Sequence, residues 1–454
     1  MNSKPLWMLL AFSLLLHSTT HLAASETPER VIGTRIDEGL QWLLTLKGSV
    51  DEKDYFLVAS SQDGMVNVAH SALTTATFVM YAKTYTSDKY DSLIRSSLEF
   101  ILSMQNTTRG DFAPFYHPST KSRVEYGEMY YLNSYILASL AFSAFHMRMA
   151  RSSPSDVDYY ATVISSIQIC FDNLHPTHQG SDGSWRYLYS GDRYVAEIDT
   201  NGMTLTALLY TATYLTLWGD RSQADRYIDW AEKTKDWILS MQEDAVGSWG
   251  YGGFYQNGEK SLQSAVSNAR AIFGLTTYLR LIDSLVDRQT ILPSLGTVRS
   301  SLVLWEDGFF KKMVDRFNGP FSTRDSEGGE EYPKSTKAAA CSMIAFVEIW
   351  VVHGDSKFLN HAKALYSWLI GNNEGGSDLQ MDVRLEGRGF VNGFSSTGVL
   401  DEGVDLESNA QSISALLYGN WIDIPEFPSS KSITFVLTVC LSLILLSRRI
   451  RRRD

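Results

Sequence analysis

The chain has 454 residues and a formal net charge of −11, with 20% charged and 12% aromatic residues. This composition is typical of a globular protein and excludes a disordered or fibrous chain. The acidic balance argues against a nucleic-acid partner, which calls for a basic surface. The cysteines are Cys170, Cys341 and Cys440, too few for a disulfide scaffold or a multi-cysteine metal cluster.

The first residues are typical of a secretory signal peptide. Lys4 precedes an apolar run from Leu6 to Leu16, and the small residues Ala23, Ala24 and Ser25 follow. We predict that residues 1–25 are removed on export, with an uncleaved membrane anchor as the alternative. Asn106 begins an Asn-Thr-Thr glycosylation sequon, which fits an exported protein.

Residues 26–424 show helical periodicity with hardly any strand alternation. Twelve helices of two alternating kinds are predicted, repeating roughly every 55–70 residues. Six amphipathic helices begin near Val31, Lys89, Ser155, Arg221, Thr290 and Asp355. Six others carry few charges on any face, which places them inside the protein. These begin near Asn67, Glu128, Asn201, Ser261, Lys334 and Leu406.

Six outer and six inner helices predict an all-α fold, a single closed (α/α)6 toroid over residues 26–424. An open α-solenoid is the alternative. Closure is favoured because it buries the terminal helix pairs against each other, whereas an open array exposes them.

Short motifs between the helices support the repeat. Gly183-Ser184-Trp185 and Gly247-Ser248-Trp249 lie 64 residues apart. Gly110-Asp111-Phe112 and Gly308-Phe309-Phe310 are predicted to lie in equivalent loops. Gln105 and Gln242 each end an Ile-Leu-Ser-Met-Gln segment shortly before such a motif.

This Gln-then-aromatic pattern resembles the Gln–Trp repeat of squalene and other terpenoid cyclases. The resemblance implies the toroid of the terpenoid cyclase/prenyltransferase-like superfamily, in which the glutamine caps a helix end. The family's Asp-x-Asp-Asp acid motif is absent from the sequence. Cys341 lies in an apolar segment that does not suit the zinc site of the prenyltransferases. The resemblance therefore speaks to fold more than to activity, and a cyclase-like protein remains a second alternative.

Acidic and aromatic residues concentrate just before the inner helices, whose N-termini share one end of a toroid. Carboxylates supply acid, base or nucleophile in glycan chemistry, and aromatic rings stack on sugars. A carbohydrate-active enzyme is therefore predicted, a hydrolase, lyase or epimerase. The predicted catalytic residues are Glu128, Asp199, Asp401 and Asp405, each alternatively a helix cap. The predicted substrate-binding residues are Tyr131, Trp185, Trp249, Tyr251, Glu331 and Phe394.

Other sites are not indicated. The sequence has no phosphate-binding loop, dinucleotide fingerprint or nucleophile elbow, so neither a cofactor nor a metal is predicted. His70 is interpreted as a core residue, with a position lining the funnel as the alternative. The alternative to an enzyme is a non-catalytic toroid for glycan binding, adhesion or surface-layer structure.

The C-terminal residues 425–454 combine an uncharged run, Ser432 to Ser447, with a basic tip from Arg448 to Arg453. As a helix the run spans about 24 Å, short for a ~30 Å hydrocarbon core, and the basic tip places the body outside. With Pro425-Glu426-Phe427 before it, the segment resembles the Pro-Glu-Phe sorting signal of archaeal surface proteins. The resemblance implies an archaeosortase-type processing partner and a cell-surface location; a plain membrane anchor is the alternative.

Overall fold

The computed structural model describes residues 28–57, 64–124, 130–190, 193–311, 321–325, 330–369, 384–385, 389–390, 393–394, 400–401 and 406–419. The predicted signal peptide and C-terminal segment lie outside these residues. The described part contains twelve α-helices in the predicted alternation. The outer helices are α1 (Pro28–Thr45), α3 (Asp91–Ser103), α5 (Pro154–His178), α7 (Arg221–Ser240), α9 (Arg288–Leu304) and α11 (Ser356–Leu369). The inner helices are α2 (Val68–Tyr85), α4 (Tyr130–Ala150), α6 (Ile198–Trp218), α8 (Ala265–Leu285), α10 (Thr336–His353) and α12 (Leu406–Gly419).

The inner helices form a closed ring. Each packs against the next in chain order, and α12 packs against α2. At this last joint the Thr77 hydroxyl donates to the Ala410 carbonyl at 3.1 Å and meets the Ser414 hydroxyl at 3.0 Å. The predicted toroid is confirmed, and the open solenoid is excluded because the first and last inner helices are in contact.

The inner helices are buried along most of their length because they carry few charges. Helices α6 and α8 approach closely enough for their backbones to touch. A Cβ on Gly202 would lie 2.5 Å from the Arg270 carbonyl oxygen, and one on Gly274 would lie 2.6 Å from the Gly202 carbonyl oxygen. Only glycine permits this approach, so the two positions fix the spacing of the helices.

Helix α10 is the one described helix long and apolar enough to cross a membrane. Within the fold, 72% of its apolar window is buried among other helices. Its composition is therefore explained by its place in the ring.

The two ends of the ring differ in their connections. Inner helices lead to outer helices through the short turns 86–90, 151–153, 219–220, 286–287 and 354–355. We call this end, where the inner helices finish, the far face. Outer helices lead to inner helices through the long connections 46–67, 104–129, 179–197, 241–264, 311–335 and 370–405. We call this end, where the inner helices begin, the mouth.

The long connections contain short antiparallel strands, which the sequence pattern did not predict. The strands are β1 (Lys47–Val50), β2 (Lys53–Phe56), β3 (Val66–Asn67), β4 (Phe115–His117), β5 (Ser122–Val124), β6 (Tyr187–Ser190), β7 (Arg193–Val195), β8 (Leu262–Ser264), β9 (Phe321–Asp325), β10 (Glu330–Ser335), β11 (Arg384–Leu385), β12 (Gly389–Phe390), β13 (Gly393–Phe394) and β14 (Leu400–Asp401). Strands β14-β13-β10-β9-β8 form one sheet, β3-β4-β5 form a second, and β1-β2, β6-β7 and β11-β12 form two-stranded sheets.

The fourth residue of an inner helix holds the connection that precedes it. The Asn201 side chain accepts the Trp185 backbone N–H at 2.7 Å and donates to the Trp185 carbonyl at 3.0 Å. These bonds satisfy the buried backbone groups of the loop. The arrangement recurs as Asn133 with Phe112, Asn268 with Phe254, and Ser71 with Phe56.

These hydrogen bonds show that the sequence pattern aligned the loops wrongly for one repeat. Trp185 corresponds to Phe254, the residue that Asn268 holds, and not to Trp249. Each aromatic is preceded two residues earlier by a glycine in the left-handed region, Gly183 (φ +87°) and Gly252 (φ +83°). Both glycines lie against the next outer helix. A Cβ there would lie 2.3 Å and 2.4 Å, respectively, from a helix carbonyl oxygen.

Gly308-Phe309-Phe310 was also misplaced by the sequence pattern. These residues belong to a π-helical segment, Trp305–Phe310, that continues α9. Gly308 packs against Gly252, where a Cβ would lie 2.7 Å from the Gly252 Cα. The motif therefore forms the surface on which a loop rests, rather than a loop of its own.

The glutamines of the repeat join a helix end to the next outer helix. The Gln242 amide donates to the Gly252 carbonyl at 2.9 Å and to the Ser301 carbonyl of α9 at 3.0 Å. Gln105 makes the same pair of bonds, to Gly110 at 2.9 Å and Ser166 at 2.8 Å.

Candidate funnel site

Two acidic residues stand at the start of α6. Glu197 occupies the N-cap position, but its side chain makes no capping hydrogen bond. Its carboxyl group instead receives hydrogen bonds from Tyr187 and Gln256. Burial, and then the negative charge of Asp199, raise the pKa of Glu197. Glu197 is therefore the carboxyl group of this pair that holds its proton more strongly than an ordinary glutamate.

Asp199 is held from several sides. Its Oδ2 accepts a hydrogen bond from the Tyr135 hydroxyl at 2.7 Å, and its Oδ1 accepts the Thr200 backbone N–H at 2.8 Å. The Arg270 guanidinium lies 3.7 Å from Oδ2. The carboxylate is thus fixed in orientation and has a positive charge beside it.

Arg270 connects four inner helices. It projects from α8, donates to the Tyr135 hydroxyl of α4 at 2.6 Å, approaches Asp199 of α6 and forms an ion pair with Glu407 of α12. Only 7% of its surface is exposed. A buried guanidinium needs such partners, because an unpaired buried charge is very costly.

Glu407 is surrounded by positive charge. Besides Arg270, it contacts the Lys337 ammonium at 2.6 Å and His70 Nε2 at 3.3 Å. Burial alone favours a neutral acid, but the charges of Lys337 and Arg270 outweigh it and hold the pKa of Glu407 well below its usual range. A carboxylate so neutralised is a counter-ion and a poor proton donor or acceptor. His70 thus belongs to the charged cluster at the mouth, with 21% of its side chain exposed.

An aromatic pair lies beside the α6 carboxyl groups. The rings of Tyr131 and Tyr187 are 5.2 Å apart at an angle of 51°. Burial, and then the charge of Glu197, raise the pKa of both hydroxyls. Tyr187 is buried, with 6% of its surface exposed, so the half-buried Tyr131 is the ring of this pair that has surface left for a ligand.

The structure places the other predicted aromatics away from this cluster. Trp185 is fully buried between α5 and α7, and its indole N–H donates to the Thr234 hydroxyl at 3.0 Å. Such an indole has no surface left for a ligand. Trp249 packs on Tyr255 at 5.5 Å, and the Tyr251 backbone lies against the end of α9.

The remaining predicted residues are only partly described. Glu128 and Asp405 lie outside the described residues. Asp401, Glu331 and Phe394 belong to strands β14, β10 and β13, which are neighbours in one sheet at the mouth. Their backbones are placed there, and their side chains are not described.

Sequence reasoning missed most of the charged cluster. The signal that could have revealed the cluster is the position of each residue within its helix. The second residue of four inner helices and the sixth residue of two belong to the cluster. The second residues are Tyr131, Asp199, Lys337 and Glu407; the sixth residues are Tyr135 and Arg270. Aligning the inner helices by their first residues would have brought these side chains together.

A metal site is not formed by the described residues, which contain no group of three or more His, Cys, Asp or Glu side chains suited to an ion. Cys341 is buried next to Arg270 and Lys337, and burial raises the pKa of its thiol.

Several solved structures share this fold. A cellobiose 2-epimerase from Spirochaeta thermophila is 13% identical, with a TM-score of 0.58 over 88% of this chain and 99% of the epimerase. A D-mannose isomerase is 11% identical, with a TM-score of 0.61 over 88% of this chain and 100% of that protein. A family 76 glycoside hydrolase from Bacteroides thetaiotaomicron is 11% identical, with a TM-score of 0.55 over 86% and 77%. No protein-family model and no curated protein matches the sequence. At these identities the likeness establishes the toroid fold.

Proposed function

We propose that this protein is a carbohydrate-active enzyme whose reaction takes place at the mouth, beside the N-terminus of α6. The observation that carries the proposal is the pair formed by Glu197 and Asp199. One carboxyl group has a raised pKa and the other lies beside the Arg270 guanidinium. Two carboxyl groups in unlike environments are what acid–base chemistry on a glycosidic bond requires.

A sugar is the ligand class that best fits the surroundings. Tyr131 supplies a half-buried aromatic face backed by the buried Tyr187 ring, and polar groups of four inner helices converge next to it. The similar solved structures, by their descriptions, are sugar epimerases, an isomerase and a glycoside hydrolase family. These names support a sugar substrate without specifying the bond.

Hydrolysis is the reaction we favour over elimination and epimerisation. Glu197 would act as the general acid that protonates the leaving oxygen, and Asp199 as the base or nucleophile. Epimerisation needs proton transfer on both faces of one carbon. The cluster of described residues offers a single imidazole, His70, which is engaged with Glu407.

The test is turnover of a panel of oligosaccharides by the full chain purified in detergent. Glu197→Gln and Asp199→Asn are each expected to lower kcat by about 10²–10⁴-fold, the usual contribution of an acid–base group. Glu99→Gln, an exposed glutamate paired with Arg95 on α3, is the matched control and is expected to retain activity. Unchanged turnover in both site variants would show the assignment to be wrong.

A glycan-binding protein without catalysis is the second candidate. This role is favoured by Glu407, whose negative charge is already balanced by Arg270 and Lys337. Saturable binding of an oligosaccharide with no product, unaffected by Glu197→Gln, would support this role. The cyclase-like alternative gains no support from the cluster, since no Asp-x-Asp-Asp run exists in the chain.

We propose further that the enzyme is exported and held at the cell surface. Residues 1–25 would be removed as a signal peptide, and residues 425–454 would anchor the chain or be exchanged for a lipid. Asn106, on the mouth side after α3, would carry a glycan. The intact mass of the protein isolated from membranes tests all three processing steps, because each changes the mass by a different amount.

A further inference from the structure

Four large apolar side chains are exposed on the far face. Tyr85, Met149, Trp218 and Val351 are 42%, 38%, 36% and 46% exposed. They lie at the C-terminal ends of α2, α4, α6 and α10, and the inner helices all run from mouth to far face. The four side chains therefore share one face. The other exposed large apolar residues of the described chain are dispersed over outer helices and mouth-side loops, at Ile169, Tyr194, Val246 and Leu292.

The chemistry around these residues is that of a membrane–water interface. Trp350 and Val352 are half-buried beside Val351, and Leu217 is half-buried beside Trp218. The Arg148 guanidinium lies 5.1 Å from the Trp218 ring. Tryptophan and tyrosine rings are enriched at the level of lipid headgroups, where one part of the side chain is apolar and another is wet.

The headgroups that suit this face are zwitterionic. Exposed charges of both signs stand in or next to its turns, so a surface that carries both charges fits better than one of a single sign. The acids are Asp88, Asp220, Asp283, Asp287 and Asp355, and the bases include Lys89 and Arg221.

The chain leaves the ring on the same face. Helix α12 ends at Gly419, and the uncharged run begins at Ser432. The intervening residues 420–431 reach at most about 40 Å when fully extended. Helix α6, with 21 residues, is about 32 Å long, which sets the height of the ring. A linker that first passed up the ring would have almost no length left to reach a bilayer at the mouth.

We propose that the far face lies on the zwitterionic bilayer surface from which the C-terminal segment emerges, with Tyr85, Met149, Trp218 and Val351 at headgroup level. The mouth then opens away from the membrane, toward glycans outside the cell. This inference rests on the surface anchoring included in the proposed function, and is independent of the reaction performed at Glu197.

The test uses the full chain in phosphatidylcholine vesicles, with Cys440→Ser to remove the tail thiol and the buried Cys170 and Cys341 left in place. Val351→Cys on the far face and Val246→Cys in the mouth-side connection carry an environment-sensitive dye. The two variants are matched because both replace an exposed valine. Nitroxide-labelled lipid is expected to quench the Val351→Cys label several-fold more than the Val246→Cys label.

Other orientations give different results. Ile169→Cys, 46% exposed in the mouth half of the outer helix α5, reports a ring lying on its side and is expected to resemble the mouth-side label. Equal quenching at all three positions, greater quenching at Ile169→Cys or Val246→Cys, or failure of the chain to bind vesicles would overturn the inference. A blue-shifted Val351→Cys label without lipid quenching would indicate burial in a second copy of the chain, and would also overturn it.

Turnover is measured on the same vesicles. Loss of quenching with turnover retained refutes the orientation alone. Quenching as expected with no turnover refutes the reaction alone. The two proposals are therefore distinguishable in one preparation.

Discussion

The inner helices enclose two charged clusters, one at the mouth and one near the far face, and α8 supplies the arginine of both. Arg270 pairs with Glu407 at the mouth. Near the far face the Arg280 guanidinium donates to Glu348 at 3.0 Å and to the Tyr210 hydroxyl at 2.9 Å. Both clusters therefore link an arginine to a glutamate and a tyrosine from other inner helices.

The clusters differ in what remains after the arginine is paired. Glu348 is fully buried and also accepts a hydrogen bond from the Tyr418 hydroxyl at 2.9 Å. The cluster near the far face, which we call the lower cluster, therefore joins helices and offers no accessible acid. The mouth cluster has Asp199 and Glu197 in addition to Glu407. The same pairing chemistry thus holds the ring together at one end, and at the other end it lies beside carboxyl groups that are partly exposed.

The largest expected effect comes from breaking the lower cluster. Arg280→Met removes the cation that donates to Glu348 and leaves only the nearby Lys83 to balance the buried carboxylate, which is expected to cost about 3 kcal/mol of stability. Urea unfolding measures this loss. The substrate KM of the folded fraction is expected to stay unchanged, because Arg280 lies ten residues, about 15 Å, along α8 from Arg270 of the mouth cluster.

The double variant Arg280→Met, Glu348→Leu sharpens this comparison. Replacing both charges by apolar side chains is expected to recover part of the stability, since Glu348 is no longer left without Arg280, whereas the half-buried Lys83 loses the carboxylate beside it. A changed KM with unchanged stability in the single variant would instead place the lower cluster in the functional site.

A smaller effect is expected at Glu407. Its folded-state pKa lies well below the ordinary 4.5, so its ion pairs stabilise the fold above that pH. This contribution is lost as the pH falls through the depressed pKa. Glu407→Gln is expected to cost about 2 kcal/mol near neutral pH, the range for hydrogen bonds to charged groups. The difference in stability between this variant and the natural chain should become smaller below pH 4.5. Urea midpoints across the acid range check it, and a constant difference at every pH would contradict an ionic origin.

The smallest expected effect concerns Trp185, which the sequence pattern placed at the site. Thr234→Val removes the acceptor of the indole N–H with little change in shape. We expect a loss of about 1–2 kcal/mol in stability, from one unsatisfied buried donor, and no change in KM. A several-fold change in KM would instead indicate that Trp185 contributes to substrate binding.

The fold was predictable because its signal is local. The alternation of charged and nearly uncharged helices appears within each stretch of sequence, and it gave all twelve helices of the described chain. The loop register was not predictable in the same way. Gly-Ser-Trp occurs twice, but the glycine conformation and the asparagine that holds the loop, such as Asn268 for Phe254, decide which copy is equivalent.

The site was predictable only in part, for a related reason. Asp199 and Tyr131 were found because acids and aromatics precede an inner helix. Glu407 was not among the predicted residues, since its partner Arg270 lies 137 residues away in the sequence. The meaning of a charge in a ring depends on helices that only the closed fold brings together.

The joint between α2 and α12 has a consequence for how the ring assembles. Thr77 and Ala410, which meet there, are 333 residues apart, whereas the other joints connect successive inner helices. Closing a loop of that length costs roughly 1–2 kcal/mol more in chain entropy than closing one of about 65 residues. We therefore expect this joint to form last and open first, with α2 and α12 losing hydrogen-exchange protection together. For most of its folding the chain is a linear stack of helix pairs, and its circular form arises in a final step.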